Sequence, residues 1–220
     1  MPTEQPYPAA EVREFSTRIF IPNRVGEGAL FTVQALNQDM SNAALSTYTG
    51  TETLGRIQVY SRPGLYAGHT SGDDGWTLVF DGDVHQRGLA EPTRLGPFAN
   101  GQRVDVAAGE SASFYVYNKQ HLTYQFSDEW TEGDAVIDDG YLRLYAGMAL
   151  AYGKWEGGCE PGVSPQRNGQ CAFSPRVFSG ALEYSLTSAD GGEFRHFCFF
   201  CFHAAVSRFD HLSHLRCLPI

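Results

Sequence analysis

Apolar and polar side chains alternate along the chain with a period of two residues. Phe31, Val33 and Ala35 are separated by Thr32 and Gln34, which is the pattern of a strand with one buried face. The same alternation recurs at Ile57 and Val59, at Trp76, Leu78 and Phe80, at Val104 and Val106, at Phe114 and Val116, at Leu142 and Leu144, and at Leu182, Tyr184 and Leu186. These runs predict a series of short β-strands rather than helices.

Turn-forming residues separate the predicted strands. In Arg62-Pro63-Gly64-Leu65, proline stands where a type II turn fixes φ and glycine stands where that turn needs a positive φ. Further breakers occur at 71–75, 81–83, 96–97 and 100–101. Short strands and frequent turns predict an all-β fold, an antiparallel β-sandwich or jelly roll of about eight to ten strands.

One pair of runs predicts a hairpin. Val104 and Val106 are followed by the turn residues 107–110, after which Phe114 and Val116 resume the alternation. Two alternating runs joined by a short glycine-containing link are typical of paired antiparallel strands. We expect these four apolar residues to form the inner face of that hairpin.

The alternation also sets the boundaries of the predicted domain. We assign 28–187 to one β-sandwich domain, 1–27 to a partly disordered N-terminal arm, and 188–220 to a poorly defined Cys/His/Phe-rich tail. Arg18 to Ile21 is a candidate first strand, and Ala204 to Leu215 is a candidate helix. Two interpretations of the tail stay open, an interaction helix and a translated gene-model artefact.

Composition and charge narrow the classes of partner. The chain of 220 residues has a net charge of −9, and this acidic surface would repel the phosphates of nucleic acid. The sequence has no run of apolar residues long enough for a transmembrane span. Its first residues lack a basic segment followed by an apolar one, so we predict no signal peptide in this chain.

Four segments carry a resemblance to a known kind of module: IQVYSRPGLYAG, GWTLVF, VAAGESASFYVY and SPRVFSGALEY. The stretch from 28 to 187 resembles an uncharacterised β-sandwich module that recurs in exported or cell-surface proteins of microalgae and bacteria. Its most specific parts are 59–64 with Trp76, and 174–178. The resemblance implies display or binding at the cell surface or outside the cell, and it transfers no catalytic residue.

No pattern of catalytic residues is evident. His69, Ser71 and Asp73 or Asp74 are neighbours in one turn, where side chains rarely point at one another as nucleophile, base and orienting acid do. The sequence contains neither a Gly-x-Ser-x-Gly elbow nor a glycine-rich phosphate loop. We therefore predict that the protein is not an enzyme.

No cofactor is predicted, but acidic loop residues leave calcium as a possibility. Asp73, Asp74, Asp81 and Asp83 offer hard oxygen ligands of the kind that calcium prefers. In a sandwich they would converge at one end with Asp128, Glu129, Glu132, Asp134, Asp138 and Asp139. The spacing matches no EF-hand or nonapeptide repeat, and ordinary solvated carboxylates are the alternative.

Aromatic residues on predicted loops suggest a sugar-binding surface. The candidates are Tyr66, Trp130, Tyr141 and Trp155, whose rings offer flat apolar faces with polar tips. Tyr115 and Tyr117 alternate with core residues and form a second candidate platform. Trp76 opens an alternating run and is assigned to the core. Arg62 and Arg176 are candidates for contact with an anionic ligand or for hydrogen bonds that stabilise turns.

Cysteine and histidine residues concentrate near the C-terminus. Cys159 and Cys171 bracket a Gly/Pro-rich loop, and a disulfide there would stabilise the fold by about 3 kcal/mol in an oxidising compartment. Within the tail, Cys198, Cys201, His211 and His214 are possible zinc ligands, although the histidines are too close together for a common structural site.

Two classes of function follow. The protein is predicted to be a non-catalytic module that presents loops to a glycan, to a component of the extracellular matrix or to copies of itself. The alternative is a calcium-dependent carbohydrate-binding domain, or the accessory domain of a secreted hydrolase. An enzyme would need a cleft with convergent ionisable groups.

Overall fold

A computed structural model describes residues 12–17, 22–70, 74–150 and 172–187. Within these ranges the chain is built almost wholly of β-strands, thirteen in number. They are β1 (Val12–Ser16), β2 (Arg24–Ala35), β3 (Asp39–Thr47), β4 (Leu54–Pro63), β5 (Thr77–His85), β6 (Thr93–Leu95), β7 (Val104–Val106), β8 (Ser111–Gln125), β9 (Ala135–Asp138), β10 (Leu142–Tyr145), β11 (Gly147–Leu150), β12 (Ala172–Phe178) and β13 (Gly180–Thr187).

The described strands form two antiparallel sheets. The smaller sheet has the order β1-β13-β3-β6, and β7 pairs with another part of β3. The larger sheet has the order β5-β4-β8-β12-β11-β2-β10-β9, and the long strand β8 also pairs directly with β2. The predicted all-β antiparallel fold is confirmed. The described strands outnumber the predicted ones because strands as short as β9, with four residues, are too short to show an alternation.

The core lies between the two sheets. Phe31 stacks on Phe178 with ring centroids 4.2 Å apart and on Phe114 at 5.6 Å. Val33 on β2 and Leu45 on β3 are fully buried in the same cluster. Since burying each such side chain contributes about 1.5–3 kcal/mol, this layer stabilises the sandwich more than any surface contact.

The predicted hairpin is wrong, although its inner face is correct. Val104 and Val106 on β7 and Phe114 and Val116 on β8 all belong to the main core. However, β7 pairs with β3 in the smaller sheet, whereas β8 pairs with β4 and β2 in the larger one. The link 107–110 reaches about 13 Å when extended, which is enough to cross the roughly 10 Å between packed sheets. Alternation identifies the buried face of a strand but not its partner.

A β-bulge changes the buried face of β5. Val59 pairs with Phe80 and Tyr60 pairs with Leu78, so Val79 is the extra residue. Val79 and Phe80 both pack into the main core, while Leu78 is 40% exposed. The predicted inward position of Leu78 is therefore wrong, because an extra residue shifts the alternation by one.

The described part of the predicted arm contributes to both sheets, since β2 of the larger sheet begins at Arg24 and β1 joins the smaller sheet. β1 pairs with β13 from Val12 opposite Ser185 to Ser16 opposite Ala181. Phe15 of β1 is buried in the main core. The sheet thus includes residues before position 28, whereas the candidate strand at 18–21 and the tail at 188–220 lie outside the described residues. Within the described ranges, no helix has the length and apolarity needed to cross a membrane.

Candidate functional site

The four aromatic sugar-binding candidates do not form one surface among the described residues. Tyr66 is only 5% exposed and packs into a second apolar cluster, where its hydroxyl donates to Glu132 Oε1 at 2.5 Å. Trp130 and Tyr141 are half-buried against the main core. Trp155 lies outside the described residues.

The second aromatic platform is also partly buried. Tyr115 is fully buried beside Tyr60 and Tyr66, and this burial raises the pKa of its hydroxyl well above the ordinary value. Tyr117 is half-buried at the edge of this cluster. Trp76, which the sequence assigns to the core, instead packs half-buried against the second cluster and donates to the His69 carbonyl at 2.9 Å. These rings stabilise a loop rather than face the solvent together.

The predicted calcium ligands are engaged elsewhere or lie outside the described residues. Asp81 accepts two hydrogen bonds of 2.6 Å from Arg56 and one of 2.9 Å from Gln58. Asp83 is exposed on the same strand, Asp74 precedes that strand, and Asp73 lies outside the described ranges. The described part of the chain contains no group of three or more His, Cys, Asp or Glu residues placed to hold a metal ion.

The predicted disulfide and zinc residues cannot be placed. Cys159 and Cys171, together with Cys198, Cys201, His211 and His214, lie outside the described residues. Ser71 of the catalytic hypothesis lies outside them as well. The backbone N–H of His69 donates to the Tyr66 carbonyl at 2.8 Å, as in a tight turn.

A groove of about 580 Å³ opens where β2 begins and β8 ends. The described residues that line it come from β2, β8 and β12, from the segment before β2, and from the loops after β3 and β5. They are Pro22, Asn23, Arg24, Val25, Gly50, Leu89, Thr123, Tyr124, Phe173 and Arg176. They include two arginines and no carboxylate.

Arg176 is held in the groove by aromatic rings. Its guanidinium carbon lies 4.5 Å from the ring centroid of Phe126, 5.5 Å from that of Phe173 and 5.7 Å from that of Tyr124. Its Nη1 donates to the Pro175 carbonyl at 2.6 Å. Such stacking fixes the plane of the guanidinium, and each cation–π contact contributes about 0.5–2 kcal/mol.

Arg24 approaches the same ring as Arg176. Its guanidinium carbon lies 5.5 Å from the Phe126 centroid, and its Nη1 donates to the Asn23 carbonyl at 2.8 Å. Burial lowers the pKa of Arg176, and the charge of Arg24 lowers it further, whereas the contact with the Tyr124 hydroxyl raises it. The two guanidinium groups are therefore close enough to repel each other.

Among the described residues, no carboxylate forms an ion pair with Arg24 or Arg176, whereas Arg56, Arg94 and Arg143 each pair with one. The Nε of Arg176 is buried without a hydrogen-bond partner in the described structure. An unpaired buried donor beside an unpaired charge is the state that a bound anion would relieve.

Apolar side chains flank the arginines. Val25 is 56% exposed and Leu89 is 59% exposed, and both line the groove. Phe173 is half-buried on β12 next to them in the lining. The groove therefore combines a cationic centre with an uncharged rim that solvent reaches.

Sequence reasoning located one half of this site. Arg176 stands in the segment 174–178 and was a candidate for contact with an anion, together with Arg62. The structure shows that Arg62 donates to the Leu65 carbonyl at 2.6 Å and so stabilises its turn. Arg24 gave no signal, because only the pairing of Arg24 with Tyr124 brings it to β12. A search for arginines without nearby acidic neighbours would not have distinguished it.

The sequence matches no family model, and no curated protein is significantly similar to it.

Proposed function

We propose that this protein is a non-catalytic binding module that holds an anionic ligand in the groove between Arg24 and Arg176. One observation carries the proposal: two neighbouring guanidinium groups have no carboxylate partner among the described residues of an acidic protein. An unpaired cation pair costs free energy unless a ligand or solvent neutralises it. Display at the cell surface, which the resemblance implies, belongs to the same proposal.

The chemistry of the groove favours recognition of an oxyanion. Guanidinium groups present a planar fork of N–H donors that matches carboxylate, sulfate or phosphate oxygens. Stacking on Phe126 and Phe173 already orients Arg176, so little rotamer entropy is lost when the ligand binds. Each charge-assisted hydrogen bond would contribute about 1.5–3 kcal/mol.

Catalysis has no support from the groove lining. An arginine stays protonated at neutral pH and does not act as a general acid or base there. Burial raises the pKa of the Tyr124 hydroxyl, and this hydroxyl donates to the Val25 carbonyl at 3.0 Å. A buried, hydrogen-bonded phenol is poorly placed to transfer a proton to a ligand.

Calorimetric titration of the full chain tests the proposal. The probes are carboxylated, sulfated and phosphorylated oligosaccharides, a glutamate-rich peptide and inorganic phosphate, each at low and at physiological salt. We expect at least one anion to bind, with weaker binding at higher salt. Arg176→Gln should reduce the affinity by about tenfold, which corresponds to about 1.4 kcal/mol.

A matched control separates the groove from net charge. Arg143→Gln removes the same charge at an exposed site on β10, where Arg143 pairs with Asp138 at 3.2 Å. Its affinity should stay within about twofold of the wild type, since rim-type charges remote from a site contribute little. Equal losses in both variants, or no binding by any anion, would overturn the proposal. Chemical conversion of a bound probe would overturn its non-catalytic part.

Chelation addresses the calcium-dependent alternative. Neither Arg24 nor Arg176 needs a metal ion to contact an anion, so binding should be unchanged in the presence of EDTA. Loss of binding with EDTA and its recovery with calcium would favour the calcium-dependent alternative instead.

A further inference from the structure

Global charge limits the kind of anion that the groove accepts. The chain has 25 acidic and 16 basic residues, so a densely charged anionic polymer meets net repulsion from the protein as a whole. A ligand with few, well-separated charges avoids this repulsion. The charged part of the ligand is therefore small, and what extends beyond Arg24 and Arg176 is neutral.

The rim indicates what that neutral part contacts. Val25 and Leu89 are exposed over more than half of their surface, and Phe173 is half-buried in the same lining. The C–H faces of sugar rings pack against such apolar and aromatic side chains while their hydroxyl groups stay in water. A fatty acyl chain would need an enclosed pocket, because ligand sites bury most of an apolar ligand.

The backbone of the groove argues against an extended peptide. Arg24 and Val25 of β2 pair with Tyr124 and Thr123 of β8, and Tyr124 also pairs with Phe178 of β12. At Tyr124, strand β8 thus has a described neighbour on each side. A peptide that binds by strand addition needs a free sheet edge, and β8 offers none at this position.

From these constraints we infer that the ligand is a mostly neutral glycan that carries isolated uronic acid residues. The carboxylate of a uronic acid lies against Arg24 and Arg176, and neighbouring neutral sugars cover Val25, Leu89 and Phe173. This inference rests on the proposed function and adds the class of ligand to it.

The test compares two oligosaccharides that differ only in the charged group. One is a short xylo-oligosaccharide with a single glucuronate branch, and the other is the same molecule with its carboxyl group reduced to an alcohol. We expect the acidic form to bind the full chain and the reduced form to bind about tenfold more weakly or worse, as for loss of a charge-assisted contact. Equal binding of the two forms would overturn the inference.

Variants assign the contacts. Arg176→Gln should weaken binding of the acidic form by about tenfold and leave the reduced form nearly unchanged. Arg24→Gln should also weaken binding of the acidic form. Because Arg24 is exposed and tolerates substitution, this variant keeps the test valid if Arg176→Gln folds poorly. Leu89→Ser should weaken both forms several-fold, since it removes an apolar contact from the rim that both forms share. No effect of either arginine variant would overturn the inference.

The outcomes also separate this inference from the proposed function. If the glutamate-rich peptide or inorganic phosphate binds in an Arg176-dependent way and the acidic oligosaccharide does not, the glycan inference fails and the proposed anion site stands. Tighter binding of a fully carboxylated oligogalacturonate than of the singly charged probe would contradict the argument from net charge. If no anion binds, both fail.

Discussion

A hydrogen bond between the two sheets offers a quantitative test of the fold. The hydroxyl of Tyr184 on β13 donates to Asp139 Oδ2 at 2.5 Å, and Asp139 lies in the turn between β9 and β10 of the larger sheet. The Tyr184 side chain is almost completely buried in the main core. Tyr184→Phe removes only the hydroxyl and leaves the packing of the ring unchanged.

The size of the effect follows from the surroundings of the acceptor. A hydrogen bond to a charged group contributes about 1.5–3 kcal/mol to stability. Asp139 is exposed, and its Oδ1 still accepts from the backbone N–H groups of Tyr141 and Leu142. Water therefore replaces the lost donor, so we expect about 1.5 kcal/mol and a fall in Tm of about 3–6 °C for a chain of this size.

Alkaline pH provides an independent signature of the same contact. Burial, the hydrogen bond to Asp139 and the charge of Asp139 all raise the pKa of Tyr184 above its ordinary value. Above about pH 10 the unfolded chain releases the tyrosine proton while the folded chain keeps it, so stability falls as pH rises. The full contribution is present below pH 10. Each such proton contributes a slope of about 1.4 kcal/mol per pH unit.

Urea unfolding from pH 7 to pH 11 measures both effects. Burial also raises the pKa of Tyr115 and of Tyr124, so the variant should still lose stability at alkaline pH. Its slope of stability against pH should be smaller than that of the wild type by the contribution of about one proton. Tyr145→Phe is the control at pH 7. It removes a hydroxyl that donates to the neutral Gln34 side chain at 2.6 Å, so no hydrogen bond to a charged group is lost. An unchanged alkaline slope in Tyr184→Phe would refute the raised pKa of Tyr184.

Two further predictions test the packing by the same unfolding assay. Val79→Ala should lower the free energy of unfolding by about 2 kcal/mol, and Leu78→Ala should lower it by less than about 0.5 kcal/mol. The reason is that the bulge buries Val79 and exposes Leu78. Equal losses in the two variants would contradict the bulge. Gly147→Ala should cost about 3 kcal/mol, since an added Cβ would lie 2.0 Å from the Leu30 carbonyl oxygen. Gly109→Ala, with φ of 82° and open space around it, should cost only about 1 kcal/mol. A loss at Gly147 no larger than the loss at Gly109 would contradict the predicted clash with Leu30.

The alternation of the sequence predicts the core better than it predicts the topology. Phe31, Leu144 and Leu182 are buried as expected because a strand between two sheets needs one apolar face. The partners of β7 and β8 could not be read in this way, since a strand presents the same face to the core in either sheet. The bulge at Val79 was not predicted, because one extra residue does not change the composition of the strand in a recognisable way.

The candidate site was harder to predict because its parts have ordinary local sequences. Tyr66 looked like an exposed loop aromatic, yet the second cluster buries it, and that cluster exists only after β4, β8 and β11 come together. Arg176 was a candidate for contact with an anion, but Arg24 has no distinguishing feature in the sequence. The two side chains come together because β8 pairs with β2 and with β12 at its C-terminal end.

The arginine groove is also a place where the described fold departs from the arrangement that stability alone favours. Elsewhere in the described structure, Arg56 and Arg94 lie within 2.6 Å of a carboxylate oxygen. Arg24 and Arg176 instead share one aromatic ring and repel each other. In an acidic chain, carboxylates are plentiful, so their absence from the described lining is not a consequence of composition. Local departures from good pairing concentrate at functional sites, and this is the physical reason for proposing a binding site at the end of the sandwich where β2 begins.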